Sequence, residues 1–144
     1  MTGNSRFAAS VHVLSYLAYK AGAPITSAEI ASSVDTNPVV IRRLLAALVK
    51  ARLVTAQKGA TGGFSLASAP DNISLLDIYR AVEPLTDHGV SRLAPNHKCF
   101  VGARIETILK TTFAKAQASF ERELADVSIA DLRRQLKDVC TGGR

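Results

Sequence analysis

At 144 residues the chain is long enough for one domain with a real core, or for one small domain plus an assembly element. Its 47% hydrophobic and 21% charged content is ordinary globular composition and excludes wholesale disorder, while two cysteines are too few for a disulfide scaffold. The formal net charge of +6 favours an acidic partner, and it is unevenly spread: residues 1–70 hold seven basic and two acidic residues, residues 71–144 eleven and ten.

In chain order, Ser5 is the expected N-cap of a first helix whose apolar face is Phe7, Val11, Leu14 and Ala18. That periodicity, with Ser10, His12, Ser15 and Lys20 interspersed, argues against a signal peptide, and His12 reads as a packed histidine. Gly22 and Pro24 stop the helix. Thr26 or Ser27 caps a short second helix with Ile30, Ala31 and Val34 inward and Glu29 complementing its first turn. Asn37-Pro38 starts a third helix running to about Arg52. Val40, Ile41, Leu44, Leu45 and Leu48 make its apolar face, and Val39, Arg42, Arg43, Ala46 and Lys50 its outer one. Helix, short helix, tight turn and a helix with a basic outer face is the order of a helix-turn-helix.

Leu53–Gln57 and Phe64–Ala67 read as strands joined by a Gly-rich turn at 58–63, the position of a wing. Residues 69–72 read as a linker, and Ser74 caps a fourth helix bearing Leu75, Ile78, Tyr79 and Val82. Residues 84–99 have no clear period. A long helix is expected from about Phe100 to Ala125, with Val101, Ile105, Ile108, Thr112, Ala116, Phe120 and Leu124 along one side and Leu109 and Phe113 widening the stripe. Ser128 caps a last helix to about Val139. The predicted fold is mainly α with a small β-hairpin. Its parts are a winged helix-turn-helix over 1–83, an effector or sensor loop over 84–99, and a dimerisation helix with a C-terminal helix over 100–144. No apolar run is long enough to span a bilayer, so a cytoplasmic protein without a membrane partner is expected.

The pairing of the third helix with the hairpin carries the chemistry. A helix enters the major groove and reads base edges from its N-terminal residues, where Asn37, Val39, Arg42 and Arg43 stand. An arginine can bond guanine bidentately and a valine can touch a thymine methyl, while Asn37 caps the helix and can also meet a phosphate. Alone, the arginine pair reads as a solvated basic face; the hairpin, the helix order and the charge bias turn the reading to DNA. Gly59, Gly62 and Gly63 permit positive φ and close approach to phosphates, with Lys58 at the base. No phosphate-binding loop, dinucleotide fingerprint or enzyme signature appears, so no catalytic activity is expected.

Ser5-Arg6-Phe7-Ala8, the run Thr36–Leu45, Gly62–Ala67 and Ile73-Ser74-Leu75-Leu76-Asp77-Ile78 resemble the BadM/Rrf-type family of bacterial winged-helix regulators over nearly the whole chain. The resemblance implies a homodimer held by the long helix that binds palindromic operators on double-stranded DNA, usually as a repressor. Asn37, Val39 and Arg42 match its base-reading positions, and Lys58 stands near a wing contact that is often arginine. The candidate DNA contacts are therefore Ser5, Arg6, Asn37, Val39, Arg42, Arg43, Lys50, Lys58, Thr61 and Gly62. Well-known members bind an iron–sulfur cluster through three cysteines before the long helix. Here only Cys99 matches, and Leu93 and Asp87 stand at the earlier positions, so no cluster is expected and the chain resembles the single-cysteine branch.

Cys99 is the candidate redox sensor: a helix N-terminus and Lys98 are expected to stabilise its thiolate. The alternative is a half-buried, merely packed thiol. His88, His97 and Cys99 match no strong metal spacing, and Cys140 reads as incidental. Two other functions remain open beside DNA-binding regulation: a winged helix used only for protein interaction, and an RNA-binding one, though the strands lack base-stacking aromatics.

Overall fold

In the computed structural model, which describes residues 3–83 and 94–142, most helices begin where the chain supplies its own cap. The elements are α1 (Gly3–Tyr19), α2 (Ser27–Val34), α3 (Pro38–Lys50), β1 (Val54–Gln57), β2 (Gly63–Leu66), α4 (Leu75–Val82), α5 (Ile105–Ala125) and α6 (Ile129–Thr141), with a 3₁₀ turn at Pro70–Asn72. Thr26 caps α2 by accepting the Glu29 amide, and Asn37 caps α3 by accepting that of Val39. Ser74 and Ser128 each form a complete capping box, with Asp77 and Asp131. The two boxes lie back to back: Ser74 and Ser128 form an antiparallel bridge, Leu75 donates to the Val127 carbonyl (2.9 Å) and Ile129 to that of Ile73 (2.9 Å).

Contacts divide the chain into two compact units, residues 1–83 with 125–144, and residues 84–124. The C-terminal helix thus belongs by contact to the first unit, where α6 packs on α1 and on the 3₁₀ turn. The core of that unit is built from Val13, Leu14 and Leu17 of α1, Ile30 of α2, Ile41, Leu44, Leu45 and Leu48 of α3, Ile78 of α4, Ile129 of α6, and Ile73, all nearly or fully buried. In the second unit α5 has no buried residue, and Val101, Ile108 and Phe120 are exposed.

The boundaries differ from the sequence expectation in several places. Ser5 lies inside α1, two residues past its start, so it does not cap that helix. The long helix starts at Ile105 instead of near Phe100; residues 97–104 form turns pinned by Cys99 N–H to Asn96 O (3.1 Å) and Ala103 N–H to Cys99 O (2.9 Å). Helix α3 ends at Lys50 because Arg52 takes a left-handed backbone (φ 61°) and directs the chain into β1. The expected linker at 69–72 holds the 3₁₀ turn. Most of the irregular stretch expected at 84–99, including Asp87, His88 and Leu93, lies outside the described residues.

The hairpin pairs Val54 with Leu66, Thr55 with Ser65, Ala56 with Phe64 and Gln57 with Gly63. It is fastened to the segment between α1 and α2 by two reciprocal bonds, Ile25 N–H to Phe64 O (2.9 Å) and Phe64 N–H to Ile25 O (2.8 Å). Gly63 permits this approach. Its φ is +152°, and a Cβ there would sit 2.6 Å from the Ile25 carbonyl oxygen. Gly59 also has positive φ (+108°) but faces open space. Gly63→Ala is therefore expected to destabilise the protein by about 1–3 kcal/mol, and by more than Gly59→Ala, in urea unfolding followed by circular dichroism.

Candidate nucleic-acid interface

The interface begins with the three-residue connection between α2 and α3. Asp35 closes α2 in the left-handed region (φ 58°), and the Thr36 amide donates back to Ala31 O (3.2 Å). Asn37 then turns the chain into α3, its Oδ1 accepting the Val39 amide at 2.8 Å. That bond leaves the Asn37 side-chain NH₂ free to donate outward. Pro38 occupies the first turn, where its missing N–H costs nothing.

With Ile41, Leu44, Leu45 and Leu48 buried, the helical pitch sends the other face outward. Val39 is 48% exposed, and Arg42, Arg43, Ala46 and Lys50 are exposed with it. Helix α3 carries no acidic residue, and neither arginine has an ion-pair partner among the described residues. Both cations are available to an incoming anion. Lys58 and Thr61 are exposed in the wing turn, which is closed by Gly62 N–H to Gly59 O (3.1 Å). Gly62 is required there, since a Cβ would lie 2.1 Å from Gln57 O. Ser5 is exposed on the first turns of α1, and Arg6 is half-buried, its carbonyl accepting the Ser10 hydroxyl (2.8 Å).

A set of contacts absent from the sequence reading ties α1 to this unit. His12 is exposed and not packed as expected; its Nε2 lies 3.0 Å from Ser33 Oγ of α2. Tyr16 donates its hydroxyl to Glu29 Oε1 of α2 (2.8 Å), which pushes the phenol up from its usual range, and Lys20 stands 3.9 Å from the same oxygen. His12, Tyr16 and Lys20 follow one another at steps of four, so the shared face is visible in the sequence although the partners are not.

Cys99 is exposed, which removes the half-buried alternative. Its thiol is held below the usual cysteine range by the backbone N–H groups of Gly102, first, and Val101. The cause differs from the expected one, because Lys98 does not contribute and α5 begins six residues later. The turn is shaped by Gly102, where a Cβ would lie 2.2 Å from Asn96 O. Arg104 closes it by stacking over Phe100, its carbon 4.0 Å from the ring centroid.

The donor set does not fit an iron–sulfur cluster. Such clusters take mainly cysteine thiolates, and the chain has only Cys99 and Cys140, one in each unit. Among the described residues no group of three or more His, Cys, Asp or Glu could hold a metal ion, and His88 lies outside them. Nor is any described helix long and apolar enough to cross a membrane.

Comparison with known proteins gives the family and the fold. A family model, Rrf2, described as an iron-dependent transcriptional regulator, matches residues 4–135. YwnA of Bacillus subtilis (strain 168), a candidate HTH-type transcriptional regulator, is 42% identical over 134 residues, covering 92% of this chain and 98% of its own. Among solved structures, a candidate transcriptional regulator from Lactobacillus plantarum superposes with a TM-score of 0.80 at 27% identity, covering 92% of this chain and 89% of its own. A candidate DNA-binding protein gives a TM-score of 0.71 at 38% identity, covering 88% of this chain and 97% of its own. IscR of T. potens matches with a TM-score of 0.71 at 25% identity, covering all of this chain and 92% of its own.

The thiol geometry sets an expected outcome. Iodoacetamide alkylation of Cys99, resolved by peptide mass spectrometry, should reach half its maximal rate at lower pH in the native protein than in urea. The folded turn supplies the amide donors that favour the thiolate, and unfolding removes them.

Proposed function

Because this chain belongs to the Rrf2 family of transcriptional regulators, we propose that it acts as a homodimeric repressor on a palindromic operator, with residues 1–83 meeting the DNA. The carrying observation is the capped N-terminal turn of α3, which presents Val39, Arg42 and Arg43 without a competing carboxylate on the helix. In this reading Arg42 bonds a guanine edge, Val39 meets a thymine methyl, and the free Asn37 amide donates to a phosphate or base. Arg43 and Lys50 take flanking phosphates. The wing, through Lys58, Thr61 and Gly62, and the start of α1, through Ser5 and Arg6, take backbone contacts on either side. The exposed stripe of α5 supports the dimer: a helix of 21 residues with no buried residue gains stability by pairing with its copy. Two-fold symmetry then spaces the recognition helices about one DNA turn, or a multiple of it, apart. The reading places the protein with the chromosome, in the cytoplasm, and without a cluster.

Cys99 is the proposed signal input. Its exposure and stabilised thiolate favour oxidation, and it lies in the turn leading into α5. A change there alters the relation of the two recognition helices across the dimer.

Arg42→Ala is expected to weaken binding to the DNA upstream of the gene roughly ten- to a hundred-fold while leaving random DNA less affected. Equal loss on both would make Arg42 a phosphate contact. Affinity for both should fall steeply with salt in gel-shift titrations, and a flat salt dependence would favour the protein-interaction reading. Cys99→Ser should keep resting DNA affinity and lose any response to peroxide; a response that survives the substitution removes Cys99 as the sensor.

A further inference from the structure

Helix α3 ends in a backbone conformation that its sequence does not favour. The Arg52 amide donates to Val49 O (2.9 Å) and the Leu53 amide to Leu48 O (3.0 Å). Two such bonds, closed around a left-handed residue, satisfy carbonyls that a helix leaves open at its end. The left-handed residue here is Arg52, at φ 61°. Glycine is the usual occupant of that position, because a Cβ there crowds the following carbonyl. Among the described residues only Asp35 shares the positive φ without being glycine. Aspartate tolerates it, being short and able to bond its own backbone. Arginine has neither property.

Nothing among the described residues offsets that strain. Arg52 is exposed, and its guanidinium has no ion pair and no hydrogen bond there. The apolar contact at this helix end comes from the next residue, Leu53, which packs against the core. The carbonyl end of α3 already has Lys50 in its last turn. A glycine would close the same turn without strain. A strained residue whose side chain meets nothing in its own chain points to an external partner.

The surroundings say which partner. Arg52 stands two residues after Lys50 and two before Val54, at the corner where α3 passes into β1. Arg42, Ala46 and Lys50 lead to that corner along the exposed side of α3 at steps of four. From Thr36 to Pro70 the chain has five basic residues and no acidic one. A guanidinium with all its donors open suits a phosphate, which it can hold by two parallel N–H···O bonds.

We propose that Arg52 is a DNA-backbone contact: the corner between α3 and the hairpin carries left-handed strain so that a guanidinium meets a phosphate there. The proposal rests on the DNA-binding reading above. It adds a contact that the helical period does not mark, because Arg52 lies past the end of that period. Phosphate contacts fix the register of a protein on the duplex and carry no base preference. Arg52 therefore sets affinity on every sequence alike.

The test compares the full chain with Arg52→Gln, Arg52→Lys and Arg52→Gly by fluorescence anisotropy. Two labelled duplexes are used, the DNA upstream of the gene and a random sequence of equal length. Arg52→Gln keeps the strained backbone and removes the charge. It should weaken both duplexes by a similar factor, about three- to ten-fold at low salt. The slope of log affinity against log salt should flatten by about one per protomer. Arg52→Lys, which keeps the charge, should recover most of that slope. Arg52→Gly should weaken DNA as Arg52→Gln does, while its urea midpoint holds or rises because the turn is then unstrained. Stability kept and affinity lost in one variant separate an outside contact from a role in ending the helix. Wild-type affinity and slope in Arg52→Gln overturn the contact. Loss confined to the upstream duplex overturns the phosphate assignment and makes Arg52 a base contact. A lowered urea midpoint in Arg52→Gly assigns the side chain to the helix end and overturns the proposal. A wild-type chain that binds neither duplex overturns the DNA reading itself, and this contact with it.

Discussion

Burial of one face of α3 is the constraint on which the rest depends. Ile41, Leu44, Leu45 and Leu48 are all within 3% of complete burial. Each contributes about 1.5–3 kcal/mol by leaving water. Turning the helix about its axis would withdraw several of them at once, so its rotation is fixed to within the tolerance of the core. The outer face then has no freedom either: Val39, Arg42 and Arg43 point outward because the leucines cannot. The same residues that stabilise the fold thereby aim the cations, and a substitution in the core reaches the outer face of α3 by loosening that aim.

The wing is held by different means. Val54 is the hairpin's one fully buried residue, and Phe64 and Leu66 pack part-buried against the core. Its position is fixed further by the two bonds between Ile25 and Phe64, which the absence of a side chain at Gly63 permits. Helix α3 is thus placed by packing, and the hairpin by packing together with backbone pairing. Both refer to the same neighbourhood, because Ile25 lies in the connection between α1 and α2. Polar ties from His12 and Tyr16 add a third reference between those helices.

What the sequence shows plainly is what local chemistry decides. The caps at Thr26, Asn37, Ser74 and Ser128 are legible because a short oxygen-bearing side chain satisfies orphan amides within three residues of itself. The buried face of α3 is legible because its period is regular. Misreadings occur where a neighbour decides. Ser5 has the chemistry of a cap, yet the helix already runs through it. The apolar period of the long helix continues upstream through Phe100 and Val101, but turns anchored at Asn96 occupy that stretch. His12 sits among apolar residues in sequence, and its exposure depends on which face the other helices cover, a matter of tertiary packing. The environment of Cys99 comes from amides that a glycine-dependent turn brings round, which composition does not reveal. The outward face of α3 is legible from the same period; the contacts proposed for it belong to a complex with DNA.

The back-to-back capping boxes at Ser74 and Ser128 have a consequence for how the family can vary. The chain leaves the first unit after Glu83 and rejoins it at Ala125, and the bridge between residues 73–75 and 127–129 closes that unit without the intervening stretch. Residues 84–124 are therefore an insert in sequence between two parts of a unit that closes on its own. Such a cassette can be exchanged for one with other ligands, another length or another chemistry while the capped helices at its margins stay as they are. Under the proposed function, sensing can diversify in that segment of the gene while the DNA-binding unit stays as it is.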